Sequence, residues 1–331
     1  MSKIKMLCLG LSESWISEWV AREDVETVGA VDLYHELDHY PSPIHLLPDY
    51  LRHMNLYSDL VVALNEFKPD IITMVTPANC KTNIHAIERV VGMGNNIFLE
   101  KFRPADPKDG QRLKCLSETS GKVIGIGQSY VFNKHVFRIK QMLSEGIIGK
   151  IEEVIYTCHR PVINDDWVLF YRHVMLEDLS YHHFGVIHYL IHFPCRIVYA
   201  RSSIPSWSSN KSRDNVSLIA QSIHGVHLTY YSSWAAHGHF TSWLGEFRIE
   251  GSEGALCCEN EQLYYVNKQG ESIPVASIEP FPSNYSLMIQ SFLDTDRDPS
   301  SSDLTIDRFY PVIEMIYAAL ESAERNKPIH L

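Results

Sequence analysis

The sequence predicts an α/β protein with a doubly wound parallel sheet over residues 1–128 and a strand-rich second domain over 129–331. Three observations carry that prediction. Short apolar runs alternate with amphipathic stretches through the first third, which is the pattern of a parallel sheet covered by helices. Beyond residue 150, strand-like segments follow one another with Gly, Asn and Ser turns between them. At 331 residues, 45% hydrophobic and 21% charged, the chain is long and apolar enough for two cores and too apolar for disorder.

Charge and cysteine usage exclude some function classes. Twenty-nine basic against 40 acidic residues give a formal charge of −11, which argues against a nucleic acid or an anionic membrane as the main partner. The seven cysteines are scattered without a C-x-x-C pair, as expected of small buried hydrophobes in a reducing compartment. Lys3-Ile4-Lys5 leads straight into a strand-like run, so no leader is read, and no apolar span is long enough for a membrane. A cytoplasmic location is the expectation.

Taken in order, the run Ile4–Leu9 ends at Gly10, an amphipathic stretch reaches Arg22, and a second run, Val25–Val31, ends at Asp32. This is a βαβ unit with a carboxylate about twenty positions after its first glycine, the layout of a dinucleotide site. A tight turn lets helix N–H groups cradle a pyrophosphate, and the carboxylate accepts from ribose hydroxyls. A dehydrogenase of this layout prefers NAD over NADP, because the carboxylate repels a 2′-phosphate. Ser12 and Trp15 stand where a full G-x-G-x-x-G loop has its other glycines, so crowding of the pyrophosphate is expected. Alternation continues with helix 56–67, strand 70–76, helix 83–93, strand 96–100, helix 108–119 and strand 123–128. Ligands on such sheets sit beyond the carboxyl ends of the strands. That rule places Gly10, Ser12, Asp32, Thr76, Pro77, Glu100, Lys101 and Gln128 on one cofactor-binding rim.

The chemistry is expected on residues 176–190, LEDLSYHHFGVIHYL. On a helix its apolar residues form two adjacent stripes, one of them Leu179, Val186 and Leu190. A third stripe holds Asp178, His182, Gly185 and Tyr189. A helix so largely apolar is buried, so the polar stripe is expected to face a cavity. The loop before it carries Trp167, Tyr171 and Arg172, an aromatic beside a guanidinium that suits a sugar ring bearing an acid or phosphate. Trp167, Arg172 and His183 are the expected substrate contacts. Strands are expected at 151–160, 196–203, 216–223, 226–233, 246–251, 255–258 and 263–266, with Trp234, His237 and His239 in a polar loop among them. A short polar linker, 299–303, leads to a last helix over 308–326 that packs back toward the first domain. His188 and His192 have helical metal-ligand spacing, but no third ligand is suggested, and no metal is expected.

The strings TPAN at 76–79, FLEKF at 98–102, SEGIIGKIEEV at 144–154, FRIEGSEGAL at 247–256 and the closing YPVIEMIYAALESAERNKPIHL, together with the D-x-x-x-H of Asp178 and His182, resemble the Gfo/Idh/MocA oxidoreductases. The likeness runs in the family's order along essentially the whole chain. It implies a Rossmann domain binding NAD(P), then an α+β domain with a large mixed, mostly antiparallel open sheet that builds homodimers or homotetramers. It further implies that Lys101 contacts cofactor and substrate, and that Asp178 and His182 bind substrate and serve as acid and base. Three positions depart from the family pattern: Phe102 replaces the proline of E-K-P, Gly185 an acidic residue, and Val131 an arginine. The function expected is hydride transfer between a nicotinamide cofactor and a secondary hydroxyl or ketone of a sugar, sugar derivative or cyclitol. The alternative is a non-catalytic relative that senses such a ligand or a dinucleotide.

Overall fold

A computed structural model describes residues 3–33, 54–76, 80–162, 166–276, 278–279 and 281–331. The chain forms two compact units, one of Met1–Gln128 with Tyr285–Tyr310 and one of Ser129–Asn284 with Pro311–Leu331.

The first unit is built on a six-stranded sheet of β1 (Ile4–Leu9), β2 (Val25–Val31), β3 (Asn55–Tyr57), β4 (Ile71–Met74), β5 (Ile97–Leu99) and β6 (Ile124–Ile126). Their order is β3-β2-β1-β4-β5-β6, with every pair parallel. That order is the doubly wound dinucleotide-binding topology, whose strand order reverses at β1/β4. β4, β5 and β6 are buried at every position, as continuous apolar strands covered on both faces must be. Helices α1 (Glu13–Val20), α2 (Leu60–Phe67), α3 (Ile84–Gly92) and α4 (Pro107–Ser120) begin where the sequence supplies caps. Asp59 accepts from the Val62 N–H, Asn83 from Ala86, and Asp106 makes a capping box with Asp109 around Pro107.

The second unit opens with α5 (Lys134–Ser144) and holds a nine-stranded sheet. Its strands are β7 (Ile151–His159), β8 (Cys195–Ser203), β9 (Asn215–Ser222), β10 (His227–Ser233), β11 (Glu246–Gly251), β12 (Gly254–Glu259), β13 (Gln262–Asn267), β14 (Ser272–Val275) and β15 (Ile329–His330). The order is β14-β13-β12-β11-β7-β10-β9-β8-β15, antiparallel except for the central β7/β10 pair. One face is closed by α6 (Ser180–Ile191), through Phe184 on Tyr230 (ring centroids 5.1 Å apart) and His183 on Tyr156 (4.7 Å). Residues alternate in and out along β7, β9 and β10, which leaves Ile155, Ile219 and Tyr231 exposed on the other face.

Two helices lie outside the simple pattern. α7 (Asn284–Arg297) was not foreseen, although Met288, Ile289, Phe292 and Leu293 recur at helical spacing and are buried. The last helix, α8 (Ile306–Arg325), starts two residues earlier than expected and passes from the first unit to the second at Pro311. The stretch expected as helix 56–67 is split into β3 and α2. Asp59, two residues past the strand, caps the helix.

Candidate active site

In the first unit the expected rim is assembled from strand ends. The Gly10 N–H bonds the Val31 carbonyl at 2.9 Å, and Gly10 itself has φ 85°, a conformation that favours glycine. The Asp32 N–H bonds the Tyr57 carbonyl at 3.1 Å, which holds Asp32 at the tip of β2, where it is buried. Val75 and Glu100 are hung in the same way from Leu9 and Met74. Gly127 comes so close to β5 that a Cβ would lie 2.3 Å from the Glu100 carbonyl oxygen. Only glycine fits there, and it seats the buried Gln128 beside the end of β5. Thr76 shares a hydroxyl contact of 3.2 Å with Thr82, and Lys101 is buried at the end of β5. Pro77 lies outside the described residues.

Ser12 is the N-cap of α1, and its side chain makes no capping bond; its Oγ lies 3.2 Å from that of Ser14. The first N–H groups of α1 therefore have no side-chain cap. Trp15 corrects the expectation of crowding. Its ring is 1% exposed, donates Nε1–H to Thr73 Oγ1 at 3.1 Å, and stands edge-on to Trp19, Tyr285 and Phe292. It is a core residue of this unit. Phe102, in the proline position of the motif, is likewise buried. Glu100 accepts a hydrogen bond from Tyr285 of α7, whose hydroxyl is pushed up to about 12 by burial first and by that carboxylate second.

In the second unit the expected helix begins with a π turn, Met175–Leu179, in which the Ser180 N–H reaches back to the Met175 carbonyl. Such wide turns occur often at functional sites. Here Asp178 is on the π turn and His182 on α6. Both are half-buried, as is Tyr189, while Leu179, Val186 and Leu190 are buried. Asp178, His182 and Tyr189 are thus the half-buried members of the polar stripe, and Gly185 between them is buried. Tyr130, from the 3-10 turn Ser129–Phe132, stacks on His182 with ring centroids 4.5 Å apart and planes 17° from parallel. The stack fixes the orientation of the imidazole.

His183 behaves differently. It is fully buried, with Nδ1 2.9 Å from the Tyr230 hydroxyl and Nε2 2.9 Å from the Trp243 carbonyl. In the neutral ring Nε2–H donates to Trp243 and Nδ1 accepts from Tyr230. Burial pushes its pKa down to about 4, against the Trp243 bond, which favours the charged form. No ring nitrogen is left for a substrate, which corrects the reading of His183 as a substrate contact. Arg172 is held elsewhere, in an ion pair of 3.0 Å with Glu324 that Arg213 and His173 share. Burial lowers the His173 pKa despite its bond to Glu324. The backbone at Trp167 forms a 3-10 turn, Asp166–Phe170, and its side chain lies outside the described residues. The His188 and His192 rings lie 4.9 Å apart. No group of three or more His, Cys, Asp or Glu among the described residues is arranged to hold a metal ion.

Sequence reasoning missed Tyr130, Tyr230, Trp243 and Tyr285. Tyr230 was findable, because it sits on the inner alternation of β10. The other three are brought in by turns and by α7, which no local pattern announces.

All seven cysteines are free thiols, and no helix among the described residues is long and apolar enough to cross a membrane. Residues 136–257 match the GFO/IDH/MocA C-terminal domain. The protein y4oX of Sinorhizobium fredii is 22% identical over 342 residues, covering 97% of this chain and 92% of that one. An oxidoreductase from Agrobacterium radiobacter, solved with NAD+, L-tartaric acid and magnesium, shares the fold at TM-score 0.82 and 14% identity, over 99% of this chain and 98% of that one. GenD2 from gentamicin A biosynthesis, solved with NAD, does so at TM-score 0.78 and 17% identity, over 100% and 97%. The family that the sequence resembles is thus matched, over residues 136–257, by the model of its C-terminal domain, and the solved structures share the fold.

Proposed function

We propose that the protein is an NAD-dependent oxidoreductase acting on a secondary hydroxyl, or the corresponding ketone, of a sugar, sugar derivative or cyclitol. The observation that carries this reading is the sheet order β3-β2-β1-β4-β5-β6 with Gly10 at the tip of β1 and Asp32 at the tip of β2. The first unit fits the cofactor. Gly10, Ser12 and the uncapped start of α1 supply the close backbone and donors a pyrophosphate needs. Asp32 suits ribose hydroxyls, and Thr76, Glu100, Lys101 and Gln128 complete the rim, with Pro77 assigned there by sequence position. The bound nicotinamide supplies the hydride acceptor or donor. That relatives of this fold were solved with NAD supports the choice.

The chain's own part is proton handling and orientation. Oxidation of an alcohol requires removal of the hydroxyl proton, and a positioned imidazole does this near neutrality. His182 is assigned that role, with its ring fixed by Tyr130. Asp178, four residues earlier, is assigned to a neighbouring substrate hydroxyl or to the imidazole. Lys101 is assigned to cofactor and substrate on the family resemblance. The second unit's open sheet face, with Ile155, Ile219 and Tyr231 exposed, suits a homo-oligomer.

Titration with NADH and NADPH, followed by a polyol and sugar screen read at 340 nm, tests the proposal. Binding of NADH with turnover of one substrate supports it. NADH binding without turnover across the screen favours a sensor, and no dinucleotide binding refutes the oxidoreductase reading.

A further inference from the structure

β7 and β10 run parallel, so their carboxyl ends lie side by side. Val154, Tyr156 and Cys158 of β7 are buried on the face covered by α6. Arg160 follows at the next inward position, one residue past the strand, with its N–H on the Ser233 carbonyl at 2.9 Å. Its guanidinium lies over the Trp243 ring, 4.8 Å from the centroid, and Nη1 donates to the Thr241 carbonyl at 2.9 Å. The Trp243 carbonyl is the one that His183 bonds, so the pair is tied directly to α6 beside His182.

Arg160 combines two features. Arg22, Arg112, Arg213, Arg248 and Arg308 each pair with a carboxylate. Arg160 has no such partner among the described residues, and its buried Nε makes no hydrogen bond. In an acidic chain, a half-buried guanidinium left without a counter-charge is costly unless a ligand supplies one. The indole holds the guanidinium by its face, and Nη1 is used by Thr241. With Nε enclosed, Nη2 is left to donate a charge-assisted hydrogen bond to a carboxylate oxygen. Trp243, 42% exposed, offers an apolar face for the ring of the same ligand.

We infer that Arg160 and Trp243 form a carboxylate subsite, so that the substrate is a sugar acid or acidic polyol rather than its neutral counterpart. This rests on the oxidoreductase reading for the word substrate. The anion site itself rests only on the geometry of the second unit.

The test pairs each acid with its neutral partner: D-glucuronate with D-glucose, D-galacturonate with D-galactose, and D-gluconate with D-glucitol. Binding to the full-length protein is measured by calorimetry at constant ionic strength, with and without NADH. At least one acid should bind about 10- to 100-fold more tightly than its partner, the range of a charge-assisted pair. That preference should collapse in Arg160→Gln and return in part in Arg160→Lys, while affinity for the neutral partner stays within about twofold. A residue that merely clamps the loop would weaken both members of a pair alike, which overturns the inference. So does equal binding of acid and neutral by the wild type, a comparison that needs no variant to fold. Tighter binding of D-glucose 6-phosphate than of D-glucuronate also overturns it in favour of a phosphate. Arg160-dependent acid binding without NADH binding would leave the subsite standing and remove the oxidoreductase reading. NADH binding with turnover of neutral sugars in preference would do the reverse.

Discussion

Acidifying the protein should destabilise it through His183, by an amount that follows from its burial. The ring is fully buried and neutral between Tyr230 and Trp243, with its pKa pushed down to about 4. In the unfolded chain a histidine titrates near ~6.5. As pH falls, the unfolded chain takes up the proton first, so stability rises with pH through this window. The contribution is complete above about pH 6.5, is lost as pH falls toward 4, and changes little below that. At pH 5 the loss comes to about 2 kcal/mol. The assay is urea unfolding followed by circular dichroism, for wild type and His183→Phe, at pH 7.5 and pH 5. At pH 7.5 the variant leaves the Tyr230 hydroxyl and Trp243 carbonyl without their partner, which costs about 2–4 kcal/mol. At pH 5 the gap between the two proteins should shrink by about 2 kcal/mol, because the variant has no imidazole to protonate. Every other titrating group is present in both and cancels. A gap that does not change with pH would show that His183 is solvated or charged in the folded state, and the core assignment would fall.

Three further outcomes are expected. Trp15→Gly, which restores a glycine of the fingerprint, should lower stability by about 3–5 kcal/mol as a large buried aromatic is lost and should not tighten NADH binding; tighter binding in a direct titration would revive crowding. Wild type should bind NADH at least about tenfold more tightly than NADPH, and Asp32→Ser should erase the difference, since a carboxylate repels the 2′-phosphate; NADPH preference in wild type would refute this. His182→Ala should lower kcat about a hundredfold with NADH affinity unchanged, as loss of a general base does, whereas Lys101→Ala should damage both; full turnover by the histidine variant would remove His182 from the mechanism.

The parallel sheet was legible because its strands are buried on both faces, so apolar runs such as IITM and IFL stand out between amphipathic helices. The βαβ rim followed from strand ends alone, and Gly10, Asp32 and Gln128 stand on it. Residues whose burial depends on partners far along the chain were harder. Trp15 was weighed by its place in a glycine motif, yet Trp15, Ile16 and Trp19 are one buried helical stripe, completed by Phe292 of a helix the pattern did not show. Helix α6 holds the sharper lesson. Two adjacent histidines on a helix point about 100° apart, and the stripe Leu179, Val186, Leu190 has its missing turn at position 183. The period therefore already assigned His183 to the core and His182 to the polar face. What the period could not supply was the partner of each ring, because Tyr130, Tyr230 and the Trp243 carbonyl come from 47 to 60 residues away.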